Sequence, residues 1–142
     1  MSATQKLLDA FRATTYRVYA PNADLNLRVG QVNPSLDALL DRTAHTQWTY
    51  LTAFNPGGQM RDEPENVVAQ KKLFNVLMKG SWIFYPGETM ADDDQWPPEP
   101  SFLVLGMARS DGVAIAQEFA QAAILYGQKG AVAQLIEVSE TA

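Results

Sequence analysis

The sequence predicts a single α+β domain in which a mixed, mostly antiparallel sheet of about six strands has helices packed on it. Three observations support this class. The chain of 142 residues is 46% hydrophobic and 19% charged, a composition that builds one core and differs from that of a disordered chain. Helical and strand-like segments follow one another in the order α-β-β-α-β-α-β-β-α-β, which neither alternates strictly nor segregates the two types. No linker, repeat or low-complexity tract divides the chain.

Hydrophobic spacing and turn residues place the elements of the first half. Leu7, Leu8 and Phe11 recur at the spacing of a helix face within the N-terminal segment, and two runs suited to strands flank the turn PNAD. Asn33 can cap the free N–H groups of a helix that starts at Pro34. The run QWTYLTAF favours a strand that the segment NPGG ends. The first half is expected to contain helices over 3–13 and 34–42 and strands over 14–20, 25–29 and 47–54.

The second half begins with the best-defined helix, because Asp62 and Glu65 have the spacing of a capping box and Gly80 provides a stop. The stretch ADDDQWPPEP has the Asp and Pro content of a loop and separates two strand-like runs. Ser110 can cap a last helix that Gly127 ends. These patterns predict helices over 63–79 and 110–126, strands over 81–87, 101–107 and 131–138, a loop over 91–100 and a flexible tail over 139–142.

Charge and residue counts argue against several classes of function. The net charge of −5 makes nucleic acid an unsuitable partner, since binding a phosphate backbone requires a basic surface. With no cysteine, and with His45 as the one histidine, there is no thiolate nucleophile and no histidine-rich metal site. The Asp run 92–94 matches no calcium-binding loop, and His45 is expected to be an exposed loop residue.

The N-terminus does not resemble a secretory signal, and the apolar stretch 102–108 is too short to span a membrane. We expect a cytoplasmic protein with no membrane partner, metal or cofactor.

The segment TAFNPGG, residues 52–58, leaves a strand and leads towards a helix, a place where α/β proteins often bind ligands. Asn55 can donate and accept hydrogen bonds, and the two glycines can bring backbone amides close to a ligand, although the same residues can form a simple turn. Asn66 shares a helix face with Gln70, Leu73 and Leu77 and therefore points inward next to this loop. Its amide is expected to bind either the loop backbone or a ligand.

The segment WPPEPS, residues 96–101, contains the carboxylate best suited to catalysis. Trp96 and three prolines surround Glu99 with rigid apolar neighbours, and desolvation by such neighbours raises the pKa of a carboxyl group. A buried structural hydrogen bond is the alternative role for this side chain. Ser101 can cooperate with Glu99, but a serine, histidine and acid triad would have to recruit His45 without a GxSxG elbow.

The predicted last helix carries Gln117, Glu118 and Gln121 within one narrow polar arc, so Gln121 is expected to face solvent. The rest of its circumference is apolar. Such a helix is expected to be covered on two sides, by its own sheet and by a second subunit, which makes a homodimer one candidate assembly.

Taken together, these segments resemble the bacterial family catalogued as domain of unknown function 3293, over residues from about Tyr16 to Leu135. The resemblance rests on a Thr-Ala-x-Asn-Pro segment, a helix Asn, a Trp-x-x-Glu-x-Ser segment and a Phe-x-Gln-x-Ala helix. In this sequence the matching positions are Thr52, Ala53, Asn55, Pro56, Asn66, Trp96, Glu99, Ser101, Phe119, Gln121 and Ala123. The family brings no established activity. Its shared polar residues imply either a common site or an unusual loop that they hold in place.

Two functions are compatible with these features. The first is a small-molecule site, binding or catalytic, in which Glu99 supplies charge or acid–base chemistry and Trp96 forms an apolar wall. The residues expected to contact a polar ligand alongside Trp96 are Asn55, Asn66, Ser101 and Gln121. The second is a protein-binding or regulatory module that uses the proline-rich loop or the apolar last helix. Convergence of inward polar residues from separate segments favours the first.

Overall fold

A computed structural model describes residues 2–93 and 96–138 of the chain. Within these ranges there are four helices: α1 (Ser2–Arg12), α2 (Pro34–Arg42), α3 (Glu63–Lys79) and α4 (Arg109–Glu118). The strands are β1 (Thr14–Tyr19), β2 (Asp24–Leu27), β3 (Gln47–Leu51), β4 (Ile83–Ala91), β5 (Pro100–Leu105), β6 (Ala123–Gln128) and β7 (Gln134–Glu137). The predicted α+β class is confirmed, with seven strands where about six were expected. The expected tail, 139–142, and Asp94 of the acidic loop lie outside the described residues.

The strands form one curled sheet in the order β2-β1-β4-β5-β3-β6-β7. All neighbouring strands are antiparallel. The two edges meet, because Val29, after β2, forms a parallel bridge with Ala133, before β7. The backbone N–H of Gly30 donates to the carbonyl of Ala133 over 2.8 Å. This bridge is the parallel component of an otherwise antiparallel arrangement.

Two hydrophobic clusters lie on opposite faces of the sheet, because successive strand residues point to opposite sides. On β5, Leu103 and Leu105 belong to the first cluster, whereas Phe102 and Val104 belong to the second. Helix α2 covers the first face through Leu36, Leu39 and Leu40. Helices α3 and α4 cover the second face through Leu73, Leu77, Ile115 and Ala116.

The helix predicted over 110–126 is wrong in its second half. Helix α4 ends at Glu118, Ala120 adopts a left-handed φ of 55° that breaks the helical path, and residues 123–128 form strand β6. This strand lies between β3 and β7 and is buried on both faces, with Leu125 in one cluster and Ile124 in the other. A strand covered on both faces is a continuous apolar run, which spacing alone does not distinguish from a helix.

Helix ends match the prediction where local chemistry determines them. Asn33 accepts a hydrogen bond from the Leu36 N–H at 2.9 Å, as a capping residue should. Helix α3 has the predicted bounds, although the side chain of Asp62 makes no capping hydrogen bond. The prediction that Ser110 caps α4 is wrong, since the residue at the N-cap position is Ala108.

None of the helices in the described ranges has the length and hydropathy that crossing a membrane requires.

Strand β4 extends to Ala91, past the end predicted for it, and its register with β5 runs from Ile83 opposite Leu105 to Glu88 opposite Pro100. The predicted loop over 91–100 is correspondingly shorter. Glu99 therefore stands directly before β5, where Thr89 fixes it: the Glu99 N–H donates to the Thr89 hydroxyl oxygen at 3.1 Å, and the Thr89 N–H donates to the Glu99 carbonyl at 3.0 Å.

Candidate functional site

The segments TAFNPGG and WPPEPS lie side by side because β3 and β5 pair. Leu51, the last residue of β3, is opposite Phe102, so the residues after β3 run beside those that precede β5. The Thr52 hydroxyl donates to the Pro100 carbonyl at 2.7 Å and joins the two segments. Helix α3 starts on the same side of the sheet and brings Asn66 to this junction.

Asn55 and Asn66 form a reciprocal pair at the centre of the junction. The Asn55 backbone N–H donates to Oδ1 of Asn66, and Nδ2 of Asn66 donates to Oδ1 of Asn55, both over 2.8 Å. Both residues are about 95% buried, with exposed fractions of 5% and 4%. Asn55 has a left-handed backbone, with φ 46° and ψ 66°, a conformation that Asn tolerates better than most residues with a side chain.

The carboxylate of Glu99 is anchored through one of its two oxygens. Its Oε2 accepts hydrogen bonds from Nδ2 of Asn55 at 2.7 Å and from the indole Nε1 of Trp96 at 2.6 Å. Burial raises the pKa of Glu99 above its usual range, and the two hydrogen bonds oppose that rise because they favour the charged form. Burial was the cause predicted from its apolar neighbours.

The second oxygen of Glu99, Oε1, has no hydrogen-bond partner among residues 2–93 and 96–138. Of the side-chain N and O atoms in these ranges, the one that is both buried and without a partner is Nε2 of Gln70. Oε1 is not among these buried, unpartnered atoms, and the Glu99 side chain as a whole is half-buried. The arrangement fixes the direction of the carboxylate and leaves one oxygen available to a hydrogen-bond donor or a cation.

Ser101 and Gln121 lie at the edges of the junction and bind backbone. The Ser101 hydroxyl, in a residue that is 1% exposed, donates to the Glu99 carbonyl at 2.9 Å. Nε2 of Gln121 donates to the carbonyl of Phe54 at 3.0 Å. The prediction that Gln121 faces solvent from a helix is wrong: it lies half-buried between α4 and β6 and holds the chain next to Asn55.

The backbone amides of the NPGG loop are bonded within the protein. The Gly57 N–H donates to the Ala120 carbonyl at 2.8 Å, and the Gly58 N–H donates to the Asn55 carbonyl at 3.0 Å. Gly58 has a φ of 73°, and a Cβ there would lie 2.6 Å from the side chain of Leu7, so a larger residue would have a strained backbone and would have to displace that side chain. These amides hold the loop in place and do not point at an open site.

Two residues of the junction, Arg61 and Gln70, were not among the predicted site residues, although Gln70 was placed on the inward face of the helix. Arg61 donates from its backbone N–H to Oδ1 of Asn55 and from Nε to Oδ1 of Asn66, each over 3.0 Å. Gln70 accepts the Ala53 N–H at 2.8 Å through Oε1. The spacing of Gln70, four residues after Asn66 on the buried face, was a usable signal. For Arg61 the signal was weaker: a single cation between the NPGG loop and the acidic start of α3.

The other features considered from the sequence lie outside this junction. Asp92 pairs with Arg28 through two hydrogen bonds of 2.7 and 3.0 Å, and the Arg28 guanidinium lowers the pKa of Asp92. His45, expected to be exposed, is half-buried with Nδ1 at 2.9 Å from the Thr43 hydroxyl. Across the described residues, no three side chains of His, Cys, Asp or Glu are grouped to hold a metal ion.

The fold and the junction define a class: a small α+β domain in which a buried amide pair fixes a half-exposed carboxylate between two loops. The model of a family described as "Protein of unknown function (DUF3293)" matches residues 51–124, just over half of the chain. The chain belongs to this family, and the resemblance found in the sequence is confirmed. The matched range includes Asn55, Asn66, Glu99 and Gln121. No curated protein and no solved structure matches the chain.

Proposed function

We propose that the junction is a small-molecule site in which Glu99 contacts the ligand. The observation that carries this proposal is the one-sided anchoring of the carboxylate: Asn55 and Trp96 both bind Oε2, while Oε1 has no hydrogen-bond partner among the described residues. A carboxylate with a fixed direction is pre-organised and loses little freedom when it binds. The ligand class is a small molecule with an amine or hydroxyl group that donates to Oε1.

The remaining residues act on Glu99 and on the loop. Asn55 and Trp96 orient the carboxylate, and the half-buried indole of Trp96 forms an apolar wall beside it. Asn66, Ser101 and Gln121 position the backbone around it, because their polar atoms are already bonded to protein groups. The raised pKa of Glu99 supports acid–base chemistry on a bound substrate, since a catalytic acid works best with a pKa near the working pH. A cytoplasmic location is part of this proposal.

Recognition of a protein partner through the proline-rich loop is the second candidate. The exposure of Pro97 and Pro98 beside Trp96 favours it, because rigid apolar loops are common in protein interfaces. The version that used an apolar C-terminal helix loses its basis, since α4 ends at Glu118 and the apolar residues after it lie in β6.

A thermal-shift screen tests the first proposal. The probes are small primary amines, amino alcohols, amino acids and polyols, measured with the wild-type chain, Glu99→Gln and the matched control Glu137→Gln, which changes an exposed carboxylate on β7. We expect at least one probe to raise the melting temperature of the wild type and the control but not of Glu99→Gln. If no probe stabilises the wild type, or if Glu99→Gln responds equally, the site is not built around Glu99.

A further inference from the structure

Arg61 is a half-buried cation of the junction whose charge is not used in a salt bridge. No ion pair within residues 2–93 and 96–138 involves this residue. Its side chain is fixed by two neutral acceptors: Nε donates to Oδ1 of Asn66 at 3.0 Å, and Nη2 donates to the carbonyl of Ala53 at 3.2 Å. A hydrogen bond from a charged donor is roughly twice as strong as one between neutral groups. These two contacts therefore hold the guanidinium against the amide of Asn66 and the loop backbone.

The donors around the Asn55 and Asn66 amides allow one orientation of each side chain. Oδ1 of Asn66 accepts from Nε of Arg61 and from the main-chain N–H of Asn55, and neither donor can accept a hydrogen bond. Oδ1 of Asn55 accepts from the main-chain N–H of Arg61 and from Nδ2 of Asn66. Turning either amide over would place N–H groups against each other. Each amide oxygen has one donor from Arg61, so this residue helps to fix the orientation of both.

The hydrogen bonds run in a single direction from Arg61 to Glu99. The guanidinium donates to Asn66, Asn66 donates to Asn55, and Nδ2 of Asn55 donates to Oε2 of Glu99. A guanidinium can only donate and an ionised carboxylate can only accept, so the chain of bonds has a suitable charged group at each end. Hydrogen bonds in such a chain polarise one another, most effectively where the linking groups are buried, as both amides are. The two amides thus link a cation to a carboxylate with which it forms no ion pair.

From this chain we infer that Arg61 is a positioning residue of the ligand site, which acts on Glu99 through the side-chain amides of Asn66 and Asn55. It favours the charged form of Glu99 and holds Oε2 towards Asn55, so that Oε1 is the oxygen presented to the ligand. Arg61 does not itself contact the carboxylate. Its part in ligand binding rests on the proposed function, whereas its effect on Glu99 can be measured without a ligand.

An NMR titration of the Glu99 side-chain carboxyl carbon tests the effect on Glu99. Arg61→Gln removes the charge at this position and should raise the pKa of Glu99 by about 0.5. Arg61→Lys keeps a charged donor, so its pKa of Glu99 should lie between those of the wild type and Arg61→Gln. The control is Arg42→Gln, which removes an exposed arginine at the end of α2 and should not change the pKa of Glu99.

Thermal melts verify that each variant is folded. Where Arg61→Gln does not fold, Arg61→Met takes its place, because it keeps the length of the apolar stem without the charge. A pKa of Glu99 that the loss of the Arg61 charge leaves unchanged, or that Arg42→Gln raises equally, would overturn the inference. A value in Arg61→Lys as high as in the uncharged variant would also overturn it, since the charge would then not be the cause.

A binding measurement separates this inference from the proposed function. The probe is the amine, amino alcohol, amino acid or polyol of the thermal-shift panel that stabilises the wild type most, and Arg61→Gln should raise its dissociation constant about threefold or more. If a probe binds the wild type and Arg61→Gln equally and the pKa of Glu99 is unchanged, the ligand site stands and the role of Arg61 is wrong. If no probe binds but Arg61→Gln raises the pKa, the proposed function fails and the link from Arg61 to Glu99 stands.

Discussion

Asn55 and Asn66 each satisfy the other's buried polar groups. The main-chain N–H of Asn55 and the side-chain amide of Asn66 donate in opposite directions across the same contact, both over 2.8 Å. The remaining donor of the Asn55 side chain points at Glu99. A half-buried carboxylate is thus positioned by a pair of buried amides, and the site's geometry depends on that pair.

Replacing Asn66 with alanine should destabilise the fold. The change leaves the N–H and Oδ1 of Asn55 without their Asn66 partner in a buried position, and buried groups that lose a partner cost about 1–3 kcal/mol each. We expect the free energy of unfolding in urea to fall by about 2–4 kcal/mol. Asn75→Ala, at an exposed position of the same helix, is the control and should change it by less than about 0.5 kcal/mol. Equal effects of the two variants would show that the amide pair contributes nothing.

Replacing Trp96 with phenylalanine should raise the pKa of Glu99 further. The indole N–H donates to Oε2 of the carboxylate and favours its charged form, and phenylalanine keeps the apolar ring without the donor. The measurement is an NMR titration of the Glu99 side-chain carboxyl carbon in both proteins. The pKa of Glu99 should be above 4.5 in the wild type and higher still in the variant. An unchanged or lower pKa in the variant would mean that the indole does not bind the carboxylate.

The stability of the wild type should fall relative to Glu99→Gln as the pH rises. A carboxyl group whose pKa is higher in the folded state binds more protons there than when unfolded. Its contribution is fully present below the unfolded pKa, close to 4.5, and is lost as the pH rises through the folded pKa. Glutamine does not titrate, so the difference in unfolding free energy between the two proteins isolates this residue. A difference that is constant from acidic to neutral pH would contradict the raised pKa.

Gly127→Ala should be destabilising, because Gly127 lies in β6 against a buried tryptophan. An added Cβ would lie 2.5 Å from Cζ2 of Trp48, which is 3% exposed. Overpacking of this kind costs about 1–3 kcal/mol. The double variant with Trp48→Phe removes the clashing ring and should recover part of that loss. If residues 123–128 were helical, alanine would instead be neutral or would stabilise the chain by up to about 1 kcal/mol.

The sequence was most informative where local chemistry is decisive. Asn33 and Pro34 start α2 and Gly80 ends α3, because capping and backbone conformation act over a few residues. The inward direction of Asn66 followed from its spacing relative to Leu73 and Leu77, which are both buried. The sequence also grouped Asn55, Asn66, Trp96 and Glu99 as one candidate site, but it did not predict the pairing of β3 with β5 that brings their segments together.

What the sequence did not reveal depends on long-range packing. Residues 123–128 are buried on both faces only because β3, β7 and two clusters surround them, and nothing local distinguishes this run from a helix. The role of Gln121 was missed for the same reason, since its partner is the Phe54 carbonyl in a distant segment. Arg61 was missed because its contacts with Asn55 and Asn66 depend on the path of a loop.

Binding of a ligand at Glu99 beside Trp96 should be visible in the indole N–H signals of the NMR spectrum. The chain has three tryptophans, and Trp96→Phe identifies the Trp96 signal by its loss. On titration with the amines, amino alcohols, amino acids and polyols of the thermal-shift panel, we expect at least one compound to move the Trp96 signal. The Trp48 and Trp82 signals should stay in place, and Glu99→Gln should abolish the response. A Trp96 signal that none of these compounds moves, or that moves equally in Glu99→Gln, would mean that Glu99 does not bind a ligand of this class.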